Sequence, residues 1–264
     1  MIKTKYFLYA FKQSQENKNI YWYETDHKYF KEIKPPKTIL DTNSEEIDTL
    51  KKNKIIENPW TDWESDDIQK ITSKGGVCLN YLKSTDDDYI TYKEDLKLLE
   101  VYNYLVENFD ISETFGFDMI SKWHHMVFDT IYPFAGELRT VNMSKGNNID
   151  AWEWRLDFLR ALPDFDKLLL EVTAKKYDDI DMISEDLSQL MSDFLFIHPF
   201  REGNGRLSRL IGDIILAKNG FPMIGLNLKE SDNYIERVHQ GYQCDYEPMK
   251  ELLKSKIEDE LMNL

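Results

Sequence analysis

The sequence predicts a mainly α-helical protein with one small β-hairpin flap. Apolar residues recur at helical spacing through most of the chain from Tyr92 onward. Residues 136–148 differ, because strand-like apolar residues occur there and Gly146 can turn the chain. Helical runs end at strong breakers such as Asn219-Gly220. These patterns together favour a helical bundle into which a hairpin is inserted.

Residues 1–90 form a predicted N-terminal region whose role the sequence does not reveal. Aromatic and β-branched residues concentrate in residues 5–12 and 20–24, and the polar stretch 13–19 separates them. That pattern predicts a β-hairpin. Residues 44–52 predict a short helix, because acidic residues come first and lysines come last.

Residues 91–264 form the predicted helical domain. Helices are expected from Tyr92, from Phe117 to Phe128, from Trp152 to Leu170, on both sides of residues 198–206, and from Pro248 to near the end. The charge runs Asp86–Asp88 and Asp178–Asp179 are typical of solvated loops.

The most informative segment is His198–Arg206, which reads His-Pro-Phe-Arg-Glu-Gly-Asn-Gly-Arg. Apolar helical runs precede and follow it, so its glycines fall at the N-terminus of the second helix. Free backbone N–H groups and the helix dipole make such a position receptive to phosphate. Gly203 and Gly205 lack a Cβ atom, which lets the backbone turn sharply and approach an anion closely.

The other residue types of this segment suit the chemistry of phosphate groups. Arg206, and Arg209 one turn later, offer delocalised cations with fork-shaped donors. Glu202 is a hard oxygen ligand of the kind that holds Mg²⁺ beside nucleotide phosphates. His198 can take a proton from a hydroxyl near neutral pH. An isolated histidine beside a helix is usually structural, but a core needs neither two glycines nor a carboxylate here. The set therefore predicts transfer of a phosphorus group.

Extended to Arg209, the segment resembles the signature of the Fic (filamentation induced by cAMP) family, His-Pro-Phe-x-Asp/Glu-Gly-Asn-Gly-Arg-x-x-Arg. Residues 132–140 resemble the family's segment leading into its flap, and residues 231–234 resemble the segment that helps enclose the nucleotide base. The resemblance covers roughly residues 95 to 255. It implies a Fic-type helical bundle with a β-hairpin flap, and a Fic-like catalytic domain at residues 91–264.

The resemblance also implies an activity, the transfer of AMP from ATP to a Ser, Thr or Tyr hydroxyl of a target protein. His198 would be the general base, Phe200 an apolar anchor, and Glu202 the ligand of Mg²⁺ at the α- and β-phosphates. The implied nucleotide contacts are Gly203, Asn204 and Gly205 at those phosphates, Arg206 and Arg209 at the outer ones, Lys145, Gly146, Asn147 and Asn148 on the flap, and Tyr234 at the base or ribose. Tyr242 stands where some relatives have an amide side chain.

Two alternatives to adenylyl transfer stay open at the level of sequence. The motif fixes phosphates better than it fixes the base, so a UMP donor or a nucleotide-linked phosphocholine would fit as well. A non-catalytic module that only holds nucleotide is the other alternative. The presence of His198 and Glu202 argues against the second, and His198→Ala separates binding from catalysis.

The sequence also bears on regulation. Many relatives carry an inhibitory helix of pattern Ser/Thr-x-x-x-Glu-Gly/Asn, whose glutamate pairs with the motif's second arginine. Here Thr42 and Glu46 have that spacing, but Ile47 follows where Gly or Asn belongs. We therefore expect control by a separate antitoxin-like protein, as in toxin–antitoxin pairs, or by the N-terminal region.

Composition narrows the class of protein further. The 264 residues carry a formal net charge of −15, which opposes nonspecific binding to nucleic acid or to an anionic membrane. Cys78 and Cys244 fit neither a disulfide framework nor a zinc knuckle, so they predict free thiols in the cytoplasm. His124 and His125 lack the spacing of a zinc site and are interpreted as structural. No stretch is long and apolar enough to span a membrane.

Overall fold

The computed structural model describes residues 78–262 apart from 79, 85, 111, 140–154, 226–227 and 229–232. Seven helices are present in this part of the chain. They are α1 (Asp87–Asn108), α2 (Phe117–Phe128), α3 (Arg155–Ala174), α4 (Ile180–Ile197), α5 (Asn204–Lys218), α6 (Tyr234–Gly241) and α7 (Glu247–Met262). The predicted N-terminal hairpin, the predicted helix at 44–52 and residues 140–148 of the predicted flap lie outside the described residues.

Helix α4 is the centre of the bundle. It packs against α3, α5, α6 and α7, while α2 joins α1 to α5. Ile183, Leu187 and Phe194 on α4 are fully buried, as are Leu207 and Leu210 on α5. Two helices that are apolar on several faces must be covered on those faces, which explains why they occupy the interior. The loop between them is thereby held on a rigid base.

The helix bounds agree closely with the sequence pattern at several places. Helix α2 has the bounds that the pattern predicts, and α4 and α5 flank the His198 segment as expected. Helix α3 ends four residues later than predicted, at Ala174. The last helix begins at Glu247, one residue before the predicted start. The described part of the chain is therefore mainly α-helical, as predicted.

The interpretation of Asp86–Asp88 as a loop was wrong for Asp87 and Asp88, which begin α1, whereas Asp178 and Asp179 precede α4 and are exposed, as predicted. Asp86 caps α1, its side chain accepting a hydrogen bond from the N–H of Tyr89 at 3.1 Å, and Asp87 lies in the first turn. Asp179 caps α4 by accepting from the N–H of Asp181 at 2.7 Å. Carboxylates at a helix N-terminus satisfy unpaired N–H groups and face the positive end of the helix dipole. An exposed aspartate is therefore compatible with a helix start as well as with a loop.

Two smaller expectations concern cysteine pairing and membrane spans. Cys78 and Cys244 are both free, as predicted. Among the described helices, none combines the length and the apolar character needed to cross a bilayer.

Candidate active site

The loop between α4 and α5 begins with an abrupt change of direction at His198. This residue ends α4 in the left-handed region, with φ of 46° and ψ of 60°, and its N–H donates to the carbonyl oxygen of Phe194 at 3.0 Å. A residue with a Cβ atom pays about 1 kcal/mol for that conformation, so other contacts must hold it in place. The chain leaves the helix axis here and places the next five residues beside the N-terminus of α5.

The imidazole of His198 has a defined tautomer. Its Nδ1 atom lies 3.1 Å from the carbonyl oxygen of Leu195. A carbonyl oxygen can only accept, so Nδ1 carries the proton and the Nε2 lone pair is unprotonated in the neutral ring. That is the form required of a general base.

Arg139 holds the carbonyl groups around His198. Its Nε donates to the carbonyl oxygen of His198 at 2.6 Å and its Nη2 donates to that of Ile197 at 3.2 Å. Its backbone N–H donates to the carbonyl oxygen of Pro199 at 2.8 Å. The guanidinium is buried and lies 4.4 Å from the ring centroid of Phe158. One side chain thus satisfies carbonyls at the end of α4 and stabilises the left-handed turn.

Phe200 and His124 anchor the middle of the loop. Phe200 is fully buried, and its ring stacks on that of His124 with centroids 4.0 Å apart. His124 Nδ1 accepts from the N–H of Gly136 at 2.7 Å, which leaves Nε2–H to donate to the carbonyl oxygen of Glu202 at 3.1 Å. Burial lowers the pKa of His124 to about 3, so the ring is neutral. His124 is structural, as predicted, and it ties the loop to the segment before residue 140.

Asn204 closes the loop on itself. Its Nδ2 donates to the carbonyl oxygen of Phe200 at 2.7 Å, and its Oδ1 accepts from the N–H of the same residue at 3.0 Å. The amide is buried, so both of its polar atoms are used by the protein. This side chain shapes the loop, while the backbone N–H groups of the first turn of α5 point along the helix axis toward the loop.

The two glycines of the segment have different surroundings. Gly203 has φ of +81°, and a Cβ atom there would lie 2.3 Å from the ring of Phe128. A Cβ atom on Gly205 would meet no described atom closer than Arg209 Nη1, at 3.8 Å. The fold requires glycine at 203, whereas at 205 it leaves room above the backbone. An open backbone at a helix N-terminus is the kind of surface that accepts phosphate.

Glu202 directly precedes the two glycines at the N-terminus of α5 and is the carboxylate closest to them in sequence. Its side chain is 43% exposed, and Oε1 accepts from the N–H of Gly203 at 2.9 Å. A half-exposed carboxylate beside an open helix N-terminus fits Mg²⁺, which takes oxygen ligands from one or two carboxylates, from phosphates and from water. The described residues contain no group of three metal-binding side chains.

Arg206 lies in a cluster of carboxylates. Its Nη2 is 2.8 Å from Glu94 Oε2, and its Nε is 3.1 Å from Asp95 Oδ1. Its Nη1 is 4.0 Å from Glu202 Oε1. Tyr132 donates its hydroxyl to Glu94 Oε1 at 2.7 Å. Burial raises the pKa of Glu94, and the charge of Arg206 opposes that rise.

Arg209 has different surroundings. Within the part of the chain that the structure describes, no carboxylate lies within ion-pair distance of its guanidinium. Asp213, one turn later on α5, is buried and accepts from the N–H groups of Ile224 and Gly225, each at 2.7 Å. Burial raises the pKa of Asp213 to about 6, although these hydrogen bonds and the charge of Arg209 oppose the rise.

The remaining predicted site residues lie farther along the chain. Tyr234 begins α6 and is buried, and the nearby charge of Arg209 opposes the rise that burial causes in its pKa. The hydroxyl of Tyr242 lies 3.4 Å from the carbonyl oxygen of Leu195, which also accepts from His198. Lys145, Gly146, Asn147 and Asn148 lie outside the described residues.

Sequence reasoning missed several residues that hold this site. Arg139 fell inside the segment resembling the approach to the flap, and Glu94 and Asp95 fell inside an ordinary helical run. Their burial is the useful signal, because a buried charge needs a partner. That signal appears only when the chain is folded.

The fold and the site define a class. The described part is an α-helical domain in which a glycine-containing turn at a helix N-terminus lies beside a carboxylate, an arginine and a histidine. Residues 114–216 match the Fic/DOC family model. The matched segment contains His198–Arg209 and is similar to a Fic/DOC domain.

Curated relatives include two proteins whose names state an activity. "Protein adenylyltransferase Fic" of Nematostella vectensis is 26% identical over 138 residues, which are 52% of this chain and 31% of that protein. "Protein adenylyltransferase VbhT" of Bartonella schoenbuchensis is 26% identical over 160 residues, which are 61% of this chain and 31% of that protein. The matched segment thus covers about a third of either relative.

Solved structures share the fold. The N-terminal FIC domain of Bep8 from Bartonella sp. 1-1C has a TM-score of 0.61 at 16% identity, covering 69% of this chain and 90% of that one. BepC from Bartonella tribocorum, solved with bound AMPPNP, has a TM-score of 0.59 at 16% identity, covering 69% and 93%. At this identity the likeness establishes the Fic-type helical fold.

Proposed function

We propose that this protein is an adenylyltransferase that moves AMP from ATP to a hydroxyl side chain of a target protein. The observation that carries the proposal is the hydrogen bond from His198 Nδ1–H to the carbonyl oxygen of Leu195, 3.1 Å long. It fixes the tautomer whose Nε2 can accept a proton, beside a helix N-terminus suited to phosphate. Two relatives are named protein adenylyltransferases, and a structural neighbour holds AMPPNP.

The proposed reaction is an in-line displacement. The target hydroxyl oxygen attacks the α-phosphorus of ATP while its proton passes to His198 Nε2. A bond forms between that oxygen and the α-phosphorus, the bond to the bridging oxygen breaks, and pyrophosphate leaves. The backbone N–H groups at Gly205 and the guanidinium of Arg209 stabilise charge on the phosphates. Glu202 would hold Mg²⁺, whose charge would neutralise the α- and β-phosphates.

Labelled ATP tests the proposal directly. The purified protein is incubated with a cell lysate, Mg²⁺ and ATP labelled at either the α- or the γ-phosphate, and His198→Ala runs in parallel. Kinases in the lysate label proteins from the γ position in both samples, so only label that His198→Ala loses is informative. We expect such label from the α position and none from the γ position. His198-dependent label from the γ position alone would mean a kinase-like reaction and would contradict adenylyl transfer.

A second donor is the main alternative, because the motif residues suit phosphates and do not by themselves select a base. Substituting UTP for ATP in the same assay distinguishes the donors. A binding module without catalysis predicts that neither nucleotide labels protein, while His198→Ala and wild type bind ATP equally. An antitoxin-like inhibitor that stays bound through purification predicts no labelling until that inhibitor is removed.

A further inference from the structure

The peptide group between Glu202 and Gly203 is held at both of its polar ends. Its carbonyl oxygen, which belongs to Glu202, accepts from His124 Nε2–H at 3.1 Å. Its N–H, which belongs to Gly203, donates to the Glu202 carboxylate at 2.9 Å. The orientation of this one peptide plane therefore decides whether an N–H group or a carbonyl oxygen faces that carboxylate at the start of α5.

The backbone alone does not fix this orientation. Rotating the peptide plane changes ψ of Glu202 and φ of Gly203 together, and glycine accepts φ of either sign. In the rotated plane a carbonyl oxygen would face the Glu202 carboxylate, and two acceptors repel each other. The carboxylate, which is 43% exposed, would then turn away into solvent. A donor to the Glu202 carbonyl oxygen prevents this rotation.

His124 supplies that donor from a fixed ring. The side chain is fully buried, and its ring stacks on that of Phe200 with centroids 4.0 Å apart. Its Nδ1 atom accepts from the N–H of Gly136 at 2.7 Å, so the proton of the neutral ring is on Nε2. Burial keeps the ring neutral, because it lowers the pKa of His124 to about 3.

Gly136 is constrained on the acceptor side of the ring. Its φ is +82°, and a Cβ atom there would lie 3.0 Å from His125 Cβ and 3.2 Å from the carbonyl oxygen of Ser121. The backbone thus passes close to α2 and brings its N–H to His124. A chain of hydrogen bonds runs from Gly136 through the ring and the peptide to the Glu202 carboxylate.

Accepting the function proposed above, we infer that His124 is a positioning residue that fixes the Glu202–Gly203 peptide and, through it, the Glu202 carboxylate. A ring that served the core alone would act through packing and burial. A positioning residue acts through the proton on Nε2, so the two nitrogens have separable effects. Loss of the Nε2 donor releases the carboxylate proposed to hold Mg²⁺, whereas loss of the Nδ1 acceptor lowers stability without releasing it.

Amide side chains separate the two nitrogens. His124→Gln places its amide near the position of Nε2 and can still donate to the Glu202 carbonyl oxygen. His124→Asn places its amide near the position of Nδ1 and can still accept from Gly136. His125→Gln is the matched control, because His125 is the exposed neighbour on α2, and Glu202→Gln is the control for loss of the carboxylate. Each full-length variant is titrated with ATP by calorimetry, in EDTA and in excess MgCl₂, and its melting temperature is recorded.

Both variants of His124 should melt roughly 5 °C below wild type, since each loses one hydrogen bond in a buried site. In EDTA both should bind ATP within about threefold of wild type. In MgCl₂, His124→Gln should keep the gain in affinity that Mg²⁺ gives wild type to within about threefold. His124→Asn should lose about tenfold of that gain or more, approaching Glu202→Gln. His125→Gln should match wild type throughout.

Equal Mg²⁺ gains in the two His124 variants, whether kept or lost, would overturn the inference, because the ring would then act through packing. Nitrogen NMR of the wild-type imidazole covers the case in which neither variant folds. A proton found on Nε2 of His124 supports the inference. A proton on Nδ1 overturns it, since Nε2 would have nothing to donate to Glu202.

Failure of the proposed function is distinguishable from failure of this inference. Wild type that binds neither ATP nor UTP in either buffer contradicts the function. Hydrogen exchange of the Gly203 amide, measured without nucleotide, then still reports on the peptide. It should be at least about tenfold faster in His124→Asn than in His124→Gln, and equal rates would overturn the role of His124.

Discussion

At the scale of single residues, the loop contains two glycines that have different roles. Gly203 is needed by the fold, because its φ is +81° and Phe128 occupies the space that a Cβ atom would take. Gly205 has room for a Cβ atom in the folded chain. A glycine that the protein itself does not require is typical of a position that a ligand approaches.

Alanine at these two positions should therefore separate stability from binding. Gly203→Ala should lower the free energy of unfolding by roughly 2–4 kcal/mol, from overpacking and from the left-handed backbone. Gly205→Ala should change it by less than about 1 kcal/mol, yet weaken ATP binding by about tenfold or more. Urea unfolding and calorimetric titration of both variants check this. Equal loss of stability in the two would contradict it.

Arg139 offers a second prediction at this scale. Arg139→Met should leave the carbonyl groups of His198 and Ile197 without these donors and release the left-handed turn. We expect the rate of labelling to fall about tenfold or more, with KM for ATP changed by less than about threefold, since the proposed base moves and the turn proposed to bind phosphate stays.

Arg139→Lys is the control for Arg139→Met. Its single ammonium can reach one carbonyl but cannot reproduce the planar fork, so its rate should lie between those of wild type and the methionine variant. A lysine variant with the same rate as the methionine variant would favour loss of geometry over loss of charge, whereas one with the wild-type rate would show that the charge suffices.

At the scale of helices, Asp213 connects three parts of the chain. Its Oδ2 accepts from the hydroxyl of Tyr102 on α1 at 2.7 Å, and its Oδ1 accepts from the N–H groups of Ile224 and Gly225. The contact is tight, because a Cβ atom on Gly225 would lie 2.6 Å from Asp213 Oδ2 and 2.9 Å from the carbonyl oxygen of Arg209. This carboxylate thus fixes the segment after α5 against the turn that bears Arg209.

The pH dependence of stability follows from the raised pKa of Asp213. Burial moves it from 3.8 to about 6, so on raising the pH the unfolded chain releases this proton first. The contribution of Asp213 to stability is fully present below pH 3.8 and is lost as the pH rises through 6. Between pH 4 and 7 wild type should lose on the order of 3 kcal/mol relative to Asp213→Asn, which cannot titrate.

Urea unfolding of both proteins at the two pH values gives the difference directly. The comparison is needed because the lowered pKa of His124 acts in the opposite direction and is present in both proteins. A difference between wild type and Asp213→Asn that does not change with pH would show that Asp213 titrates normally in the folded chain.

Local sequence patterns predicted the helices more accurately than they predicted the contacts between the helices. The bounds of α2 follow from apolar spacing between Gly116 and the turn after Phe128, so the sequence suffices there. The start of α1 was misplaced because aspartates favour both loops and helix N-termini. The pairing of Arg206 with Glu94 joins residues more than a hundred positions apart, and no local pattern encodes it.

At the scale of the whole molecule, the described helices form the fold of Fic domains, and residues 114–216 match the Fic/DOC family model. The motif made that fold predictable, since its residues define a turn between two buried helices. The motif could not reveal the surroundings of its two arginines. These depend on α1, whose sequence offers only an ordinary helical run with acidic residues in it.

Regulation also belongs to the whole chain. The family resemblance implies that in many relatives a glutamate of an inhibitory helix pairs with the second arginine of the motif. In this chain that arginine is Arg209. The glutamate at the matching spacing in this chain is Glu46, which is followed by Ile47 instead of Gly or Asn. A bulky β-branched residue replaces the one that the pattern demands, so we expect Glu46 not to act as an inhibitor.

Glu46→Gly in the full chain should therefore leave the rate of labelling within about twofold of wild type, with Glu45→Gly as its neighbouring control. If Glu46 did occupy Arg209, removing it would free the guanidinium for the γ-phosphate, and the rate would rise by about tenfold or more. A rise with Glu46→Gly but not with Glu45→Gly would mean built-in inhibition. An unchanged rate in both would direct the search to a separate protein that supplies the carboxylate.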